Sequence, residues 1–80
     1  MKNIDITNIL SEALEINLDE VKLIGRNDSL QKFGLESVNA VKIIVLAEKK
    51  FNISINDSEL DITNLDTADK ILNLLQKYLQ

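Results

Sequence analysis

The sequence contains no cysteine and no histidine. Without cysteine, the chain can form no disulfide and offers no thiolate for catalysis. Without histidine, it lacks both the commonest general base and the commonest metal ligand. Paired carboxylates would need a pocket that raises the pKa of one of them, and so short a chain has little room for such a pocket. We therefore expect a single domain over residues 1–80 that is not an enzyme, with no catalytic residue and no metal site.

Basic residues are also scarce, because nine lysines and arginines are outnumbered by 13 aspartates and glutamates and the formal net charge is −4. Nucleic-acid-binding domains carry basic faces, so this balance argues against nucleic acid as a partner. No stretch approaches the roughly 18 consecutive apolar residues of a membrane span. Asp5 and Asn8 interrupt the apolar run that a signal peptide would need. We expect a soluble, cytoplasmic monomer.

Proline is absent and glycine occurs only twice, so polar capping residues must mark most helix ends. The spacing of apolar residues predicts three longer helices, at residues 4–15, at residues 37–51, and from Asp66 or Thr67 to the C-terminal end. A short helical turn near residues 57–61 is the fourth predicted element. The predicted fold class is all-α, a small four-helix bundle of three longer helices and one short one.

The connections between these helices are less regular. Residues 16–36 contain apolar side chains without a sustained period, which predicts a long loop between the first and second helices. Loops of this length usually have a function, and the apolar side chains should pin this one onto the bundle. Ile53–Ile55 alternates like a strand, but three residues without a partner strand cannot form a sheet. Asn3 or Asp5 is the expected cap of the first helix.

A serine, Ser37, lies at the start of the most apolar predicted helix, directly after a Gly-Leu-Glu. As a helix cap, its oxygen would accept a hydrogen bond from an unpaired N–H group of the first turn. As an attachment point, it would be modified by another enzyme. The second interpretation is chemically reasonable because a helix N-terminus favours a phosphate group through its free N–H groups and its positive dipole end.

The helix predicted at residues 37–51 is apolar on two sides. One side should pack on the other helices and comprises Ala40, Ile43, Leu46, Ala47 and Phe51. Val38, Val41 and Val45 follow the i, i+3, i+7 spacing on a different side, next to Ser37. A row of partly exposed valines on a small domain indicates a docking surface for another protein. The alternative is that the rest of the bundle covers these valines.

Three stretches of the chain, DSLQKFGLESV, AVKIIVLAEKKFNISI and LDTADKILNLL, resemble the acyl and peptidyl carrier protein family. Together they extend over nearly the whole chain. Members of this family hold a flexible 4′-phosphopantetheine arm on the serine of a Gly-x-Asp-Ser-Leu/Ile motif, which GLESV resembles here. The resemblance implies that Ser37 is the attachment point and that a phosphopantetheinyl transferase takes the arm from coenzyme A. The thiol of the arm would then hold the cargo as a thioester.

A second serine also matches the family motif in part, since Asp28–Leu30 reads as the bare Asp-Ser-Leu of many carriers. No helical pattern follows Ser29, whereas about four turns of strong apolar pattern follow Ser37. We therefore assign the attachment to Ser37 and treat Ser29 as a loop residue in a turn or cap. Glu36 stands where the family usually has aspartate, and Val38 where it has leucine or isoleucine. Because Glu36 retains a carboxylate one methylene further out, we expect modification to survive this change, with an altered partner preference. Val38 is smaller than the usual residue.

The charge of the helix predicted at residues 37–51 bears on its partners. Three lysines, Lys42, Lys49 and Lys50, outnumber the single Glu48, so this segment has a formal charge of +2. Carriers of bacterial fatty-acid synthesis have a strongly acidic second helix that docks on basic patches of their enzymes. Because charge steers encounter and rejects wrong partners, we expect acyl, aminoacyl or peptidyl intermediates of a dedicated peptide, polyketide or aminoacyl pathway rather than of general fatty-acid synthesis.

The predicted partners are the transferase and the loading, condensing and tailoring enzymes of that pathway. The predicted partner-binding residues are Leu35, Glu36, Val38, Val41 and Val45. The alternative function is a helical protein–protein interaction module that binds through the valines and uses Ser37 as an ordinary cap. A hydrolase-like catalyst using Glu36 and Ser37 is disfavoured, because adjacent residues at a helix start rarely have usable geometry. The starting methionine and compact length favour a free-standing carrier.

Overall fold

A computed structural model of the protein describes residues 4–79. These residues form four α-helices and no strand: α1 Thr7–Leu14, α2 Leu18–Lys22, α3 Ser37–Phe51 and α4 Ala68–Leu79. Short 3₁₀ turns lie in the connections, at Leu30–Phe33, Asp57–Glu59 and Ile62–Leu65. The predicted all-α four-helix bundle is confirmed, with the difference that the short α-helix is α2 in the first connection, whereas the turn predicted near residues 57–61 is 3₁₀. Within residues 4–79, none of the helices combines the length and the apolar character needed to cross a membrane.

The first helix, α1, begins at Thr7 rather than at residue 4. Oδ1 of Asp5 accepts a hydrogen bond from the backbone N–H of Thr7 (2.9 Å), which satisfies one of the free N–H groups at the helix start. This hydrogen bond holds the pKa of the Asp5 carboxyl below its ordinary value. The N-cap position itself is occupied by Ile6, which makes no side-chain capping hydrogen bond, so Asp5 satisfies the Thr7 N–H from one residue before the cap. Asn3, the other predicted capping residue, lies outside the described residues. The buried residues of α1 are Ile9, Leu10, Ala13 and Leu14.

The predicted long loop over residues 16–36 is interrupted by α2, a helix that the apolar spacing does not predict. Asn17 caps this helix, because its side-chain oxygen accepts a hydrogen bond from the backbone N–H of Glu20 (2.9 Å). Only Val21 among the five residues of α2 is buried. A helix with one buried position shows no apolar period, so the pattern that predicts longer helices cannot detect it.

The central helix, α3, has the predicted bounds. Its buried face consists of Ala40, Ile43, Ile44 and Ala47, and it packs against α1. Leu46 and Phe51, which belong to the predicted packing face, are only partly buried. The helix ends at Phe51 and is followed by the C-cap Asn52, whose φ of 54° lies in the left-handed region that asparagine tolerates better than most residues.

The connection from α3 to α4 contains no long loop. The helical turn predicted near residues 57–61 is present as the 3₁₀ turn Asp57–Glu59. The Tyr78 hydroxyl clamps this turn onto the end of α4, because it donates a hydrogen bond to Oε2 of Glu59 (2.9 Å) and accepts one from the backbone N–H of Asn56 (3.0 Å). The start of α4 is capped as predicted, since Oγ1 of Thr67 accepts a hydrogen bond from Lys70 N (3.1 Å).

The core includes side chains from the connections as well as from the helices. The large side chains that are buried most completely are Leu30, Ile43, Leu65, Ile71 and Leu75. Leu30 and Leu65 belong to 3₁₀ turns, and Leu35 and Ile55 in the connections are also buried. The segment between α2 and α3 is thus pinned onto the bundle as predicted, which fixes the path of the chain that leads to Ser37.

Candidate functional site

Ser37 is the first residue of α3, and it is exposed. The N-cap position before it is occupied by Glu36, whose backbone is extended (φ −128°, ψ 177°). Among residues 4–79, none makes a hydrogen bond with the Ser37 hydroxyl. The interpretation of Ser37 as the cap of this helix is therefore wrong, because the cap is the preceding residue. The serine oxygen remains accessible to another enzyme.

Asn39 fixes the start of α3 on the end of α1, a role that no local pattern in the sequence predicts. Its Oδ1 accepts a hydrogen bond from the backbone N–H of Glu36 (2.8 Å), which is one half of a capping box. Its Nδ2 donates a hydrogen bond to the carbonyl oxygen of Ala13 (2.8 Å). That carbonyl lies at the C-terminal end of α1, where no partner exists within the helix. The side chain two residues after Ser37 thus holds the helix tip in place.

The backbone around Ser37 fits a phosphodiester. The first intrahelical hydrogen bond of α3 runs from Ala40 N to Glu36 O (2.9 Å), so the N–H groups of Ser37 and Val38 have no acceptor within the helix. They lie at the positive end of the helix dipole, and the first turn of α3 contains no acidic residue. A helix tip of this kind stabilises a negatively charged phosphate group.

Gly34 and Leu35 shape the chain immediately before the site. Gly34 has a φ of 100°, a left-handed conformation that is open to glycine and strained for other residues, and it turns the chain out of the 3₁₀ turn Leu30–Phe33. Leu35 then inserts into the core and is only 3 % exposed. The prediction that Leu35 contacts partner proteins is wrong, because a buried side chain cannot reach a partner surface.

Ser29, the competing serine, has a hydroxyl group that is already engaged. It donates to the carboxylate of Asp66, at 2.9 Å from Oδ1 and 3.0 Å from Oδ2. The residue is half-buried, and a 3₁₀ turn rather than an α-helix follows it. The prediction that Ser29 is a loop residue is confirmed. The Ser29 hydroxyl is thus held by a carboxylate, whereas the Ser37 hydroxyl is not.

Val38, Val41 and Val45 form an exposed apolar row along α3, which we call the valine surface. Their exposed fractions are 59 %, 49 % and 41 %. The alternative in which the bundle covers these valines is therefore wrong. Glu36 is exposed as well and lies at the N-terminal end of the row. The structure thus leaves Glu36 and the valine surface open on the side of α3 that begins at Ser37.

The charged residues of α3 are unevenly placed around the helix. Glu48 is its only acidic residue, and Oε2 of Glu48 accepts a hydrogen bond from Ile55 N (2.8 Å), which holds the carboxylate against the following connection. Lys42 and Lys49 each follow a member of the valine surface by four residues and therefore share its helical face. Lys42 also pairs with Glu15 at the end of α1 (3.7 Å). The face of α3 that carries the valine surface is thus apolar and basic.

The sequence of the chain is similar to those of known proteins. A family model described as "Phosphopantetheine attachment site" matches residues 5–77. The acyl carrier protein of Buchnera aphidicola subsp. Acyrthosiphon pisum is 30 % identical over 79 residues, which cover 96 % of this chain and 94 % of that protein. The acyl carrier protein of Wolinella succinogenes is 33 % identical over 57 residues, 71 % of this chain and 72 % of that protein. That of Campylobacter concisus is 26 % identical over 73 residues, 91 % of this chain and 90 % of that protein. No solved structure matches the chain.

The match over residues 5–77 shows that the chain belongs to the family of phosphopantetheine-binding carrier proteins. Within that family its role is that of an acyl carrier with a covalently attached 4′-phosphopantetheine group, and it is not an enzyme. The exposed hydroxyl at the start of α3 has the chemistry that such a group requires, because a serine oxygen can form the phosphodiester and the helix tip can stabilise its charge.

Proposed function

We propose that the 4′-phosphopantetheine group is attached to Ser37. The observation that carries this proposal is the environment of the hydroxyl, which is exposed and makes no hydrogen bond with any residue of the described range 4–79. The hydroxyl of Ser29, by contrast, is bound to the Asp66 carboxylate. In addition, α3 is 15 residues long, so its N-terminus offers a full helix dipole to the phosphodiester.

In the proposed reaction, this chain is the acceptor and supplies no catalytic group. The Ser37 oxygen forms a bond to the phosphorus that bears the pantetheine arm of coenzyme A, and the bond from that phosphorus to the adenosine 3′,5′-bisphosphate leaving group breaks. The hydroxyl proton passes to a base of the phosphopantetheinyl transferase, because the chain contains no histidine that could take it. When bound, the group supplies a terminal thiol that carries the cargo as a thioester.

The transferase and the later partners dock, in this proposal, on Glu36 and the valine surface. The valines provide apolar contact area at the centre of a small interface, and the lysines beside them provide orientation. A small interface gives weak and brief binding, which suits a monomeric carrier that must move from one enzyme to the next. Leu35 contributes indirectly, because its burial fixes the loop in front of the site.

The cargo we propose is an acyl, aminoacyl or peptidyl intermediate of a dedicated peptide, polyketide or aminoacyl pathway. The support comes from the charge of the exposed face of α3, where Lys42 and Lys49 lie beside the valine surface and Glu48 is held by Ile55 N. Such a face favours loading, condensing and tailoring enzymes with acidic rims. It disfavours enzymes that recognise their carriers through basic patches.

Measurement of the intact mass tests the attachment. The protein is incubated with coenzyme A, magnesium and a broad-specificity phosphopantetheinyl transferase until the reaction is complete. The wild type should gain one phosphopantetheine, Ser37→Ala should gain none, and the matched control Ser29→Ala should gain one. No gain by the wild type with several transferases, or a gain by Ser37→Ala, would contradict the proposal. The first of these results would favour a plain interaction module.

Charge reversal tests the pathway assignment. The phosphopantetheinylated protein is offered to a malonyl-transferring enzyme of bacterial fatty-acid synthesis that has a basic docking patch. The wild type should be a poor acceptor, and the double variant Lys42→Glu, Lys49→Glu should be a better one. Lys22→Glu is the control, because it reverses a charge in α2 rather than in α3. It should have little effect on how well the protein accepts the malonyl group. Efficient use of the wild type would contradict the assignment.

A further inference from the structure

The loop before Ser37 is held by a residue far along the chain, Asp66. This half-buried residue lies between the last 3₁₀ turn and α4. Its carboxylate accepts hydrogen bonds from Ser29 Oγ (2.9 and 3.0 Å) and from Gln31 N (3.3 Å). Its carbonyl oxygen accepts a further hydrogen bond from Leu30 N (2.6 Å). One residue therefore ties residues 29–31 to the start of α4.

These contacts form a cap that is supplied from another part of the chain. The 3₁₀ turn Leu30–Phe33 has no side-chain cap of its own at Ser29. Its first N–H groups, those of Leu30 and Gln31, need acceptors from outside the turn, and Asp66 provides both. Because Asp66 is 35 residues away from Gln31 in sequence, the order of this turn depends on the packing of α4.

A second pair of contacts strengthens the same junction. The Arg26 guanidinium pairs with the Asp69 carboxylate, and the backbone N–H of Asp69 donates a hydrogen bond to the carbonyl oxygen of Arg26 (3.0 Å). Both contacts join the loop after α2 to the first turn of α4. The ion pair itself is exposed on the arginine side and contributes little to stability. The half-buried contacts of Asp66 are therefore the main connection between the two segments.

The capped turn leads directly to the attachment site. Gly34 N donates a hydrogen bond to Gln31 O (3.2 Å), and Leu35 N donates one to Leu30 O (3.1 Å). Leu30 and Leu35 are 0 % and 3 % exposed, so both ends of this short segment are anchored in the core. The turn at residues 29–31 and the residues that lead to Glu36 and Ser37 are thus joined by backbone hydrogen bonds into one short segment.

We propose that Asp66 is a positioning residue for the modification of Ser37. The proposal rests on the attachment at Ser37 that is proposed above. By capping the turn, Asp66 keeps the loop in the conformation that the transferase binds. Without this cap, the loop occupies further conformations, and the apparent affinity falls by the fraction of molecules that remain competent. The chemistry at the hydroxyl is unchanged once the complex has formed, so the signature of lost positioning is a raised KM at a preserved kcat.

Initial rates of phosphopantetheinylation test this proposal. The unmodified protein is varied in concentration with a broad-specificity transferase at saturating coenzyme A. Asp66→Ala should raise KM about tenfold and leave kcat within about twofold of the wild type. Asp66→Asn retains an acceptor oxygen, so its KM should lie between that of the wild type and that of Asp66→Ala. Ser29→Ala should raise KM less than Asp66→Ala does, and Ser29→Thr, which retains the hydroxyl group, should restore the KM of the wild type.

Tyr78→Phe is the matched control for a merely stabilising role. It removes two hydrogen bonds at the other end of α4, those with Asn56 N (3.0 Å) and Glu59 Oε2 (2.9 Å), and neither partner belongs to the loop before Ser37. This variant should keep the KM of the wild type. Hydrogen exchange gives an independent readout, because the Gln31 amide loses its side-chain acceptor and should exchange faster in Asp66→Ala, but at the rate of the wild type in Tyr78→Phe. The Leu30 amide keeps the backbone carbonyl of residue 66 as its acceptor in both variants.

The outcomes separate the two proposals. A wild-type protein that is not modified at Ser37 would overturn the attachment itself. A modified wild type with an unchanged KM in Asp66→Ala, or with an equal rise in KM in Tyr78→Phe, would overturn the positioning role alone. If circular dichroism shows that Asp66→Ala does not fold, Ser29→Ala and Ser29→Thr decide the question. Equal KM values for these two variants would then refute the role of Asp66.

Discussion

Replacing Asn39 with alanine removes the capping-box contact at the start of α3 and the hydrogen bond that joins this start to the end of α1. The backbone N–H of Glu36 loses its acceptor (2.8 Å), and the carbonyl oxygen of Ala13 loses its donor (2.8 Å). These two losses differ in kind. Glu36 is exposed, so water can replace the missing acceptor. Ala13 is 0 % exposed, so its carbonyl group is left without a partner where water has little access.

The expected cost follows from this difference. An ordinary hydrogen bond contributes about 0.5–1.5 kcal/mol, and a buried polar group left without a partner costs about 1–3 kcal/mol. Asn39→Ala should therefore lower the free energy of unfolding by about 2–4 kcal/mol. Because small domains are stable by only about 5–15 kcal/mol, this change should be plain in the denaturation curve.

Urea denaturation followed by circular dichroism measures this loss. Asn73→Ala is the matched control in α4, because the Asn73 amide makes only an exposed contact with Asp69 (3.4 Å). It should stay within about 0.5 kcal/mol of the wild type. Asn39→Asp should not restore stability, since a carboxylate cannot donate a hydrogen bond to the Ala13 carbonyl. A loss below about 1 kcal/mol for Asn39→Ala, at an unchanged slope against urea, would refute this account of the junction.

Two further predictions concern the surface and the acid stability of the protein. Val41→Asp should leave the free energy of unfolding within about 0.5 kcal/mol of the wild type, since Val41 is 49 % exposed. It should nevertheless raise the KM of the transferase reaction, and an unchanged KM would remove Val41 from the docking surface. Hydrogen bonds from Lys77 and from Tyr78 hold the pKa of Glu59 below its ordinary value of 4.5. Because the pKa is depressed in the folded state, this contribution to stability is complete above pH 4.5 and is lost as the pH falls through the lower folded value. Glu59→Gln should therefore reduce the fall in the free energy of unfolding as the pH drops below 4.5. Urea denaturation at several pH values measures this free energy, and an equal dependence on pH in the wild type and the variant would contradict the role of Glu59.

The helices differ in how well the sequence predicts them, and the reason is their length. α3 has the predicted bounds because 15 residues repeat an apolar spacing several times. α2 has five residues and one buried position, so no spacing is repeated, and its start is marked only by the Asn17 cap. The connection between α3 and α4 is predicted in part. The capping residues indicate the position of the single turn Asp57–Glu59, but the hydrogen bond that joins Asn56 to Tyr78 spans 22 residues and leaves no local signal.

The attachment site shows a related limit. The helical pattern after Ser37 is a local signal and suffices to prefer it over Ser29. The burial of Leu35 and the roles of Asn39 and Asp66 are not local, since the partners of the latter two lie 26 and 37 residues away in sequence. A motif therefore indicates which residues stand near the serine without showing which of them face a partner enzyme and which face the core.

The contrast between the two serines has a single physical origin in the element that follows each one. The 3₁₀ turn after Ser29 is four residues long, so its first N–H groups need an acceptor from outside, and Asp66 provides it and binds the serine hydroxyl as well. The helix after Ser37 is stabilised by a buried face of its own and by Asn39, so its tip needs no contact from the serine hydroxyl. The longer helix thus leaves a hydroxyl group exposed beside a positive helix end, which is the combination that a phosphodiester requires.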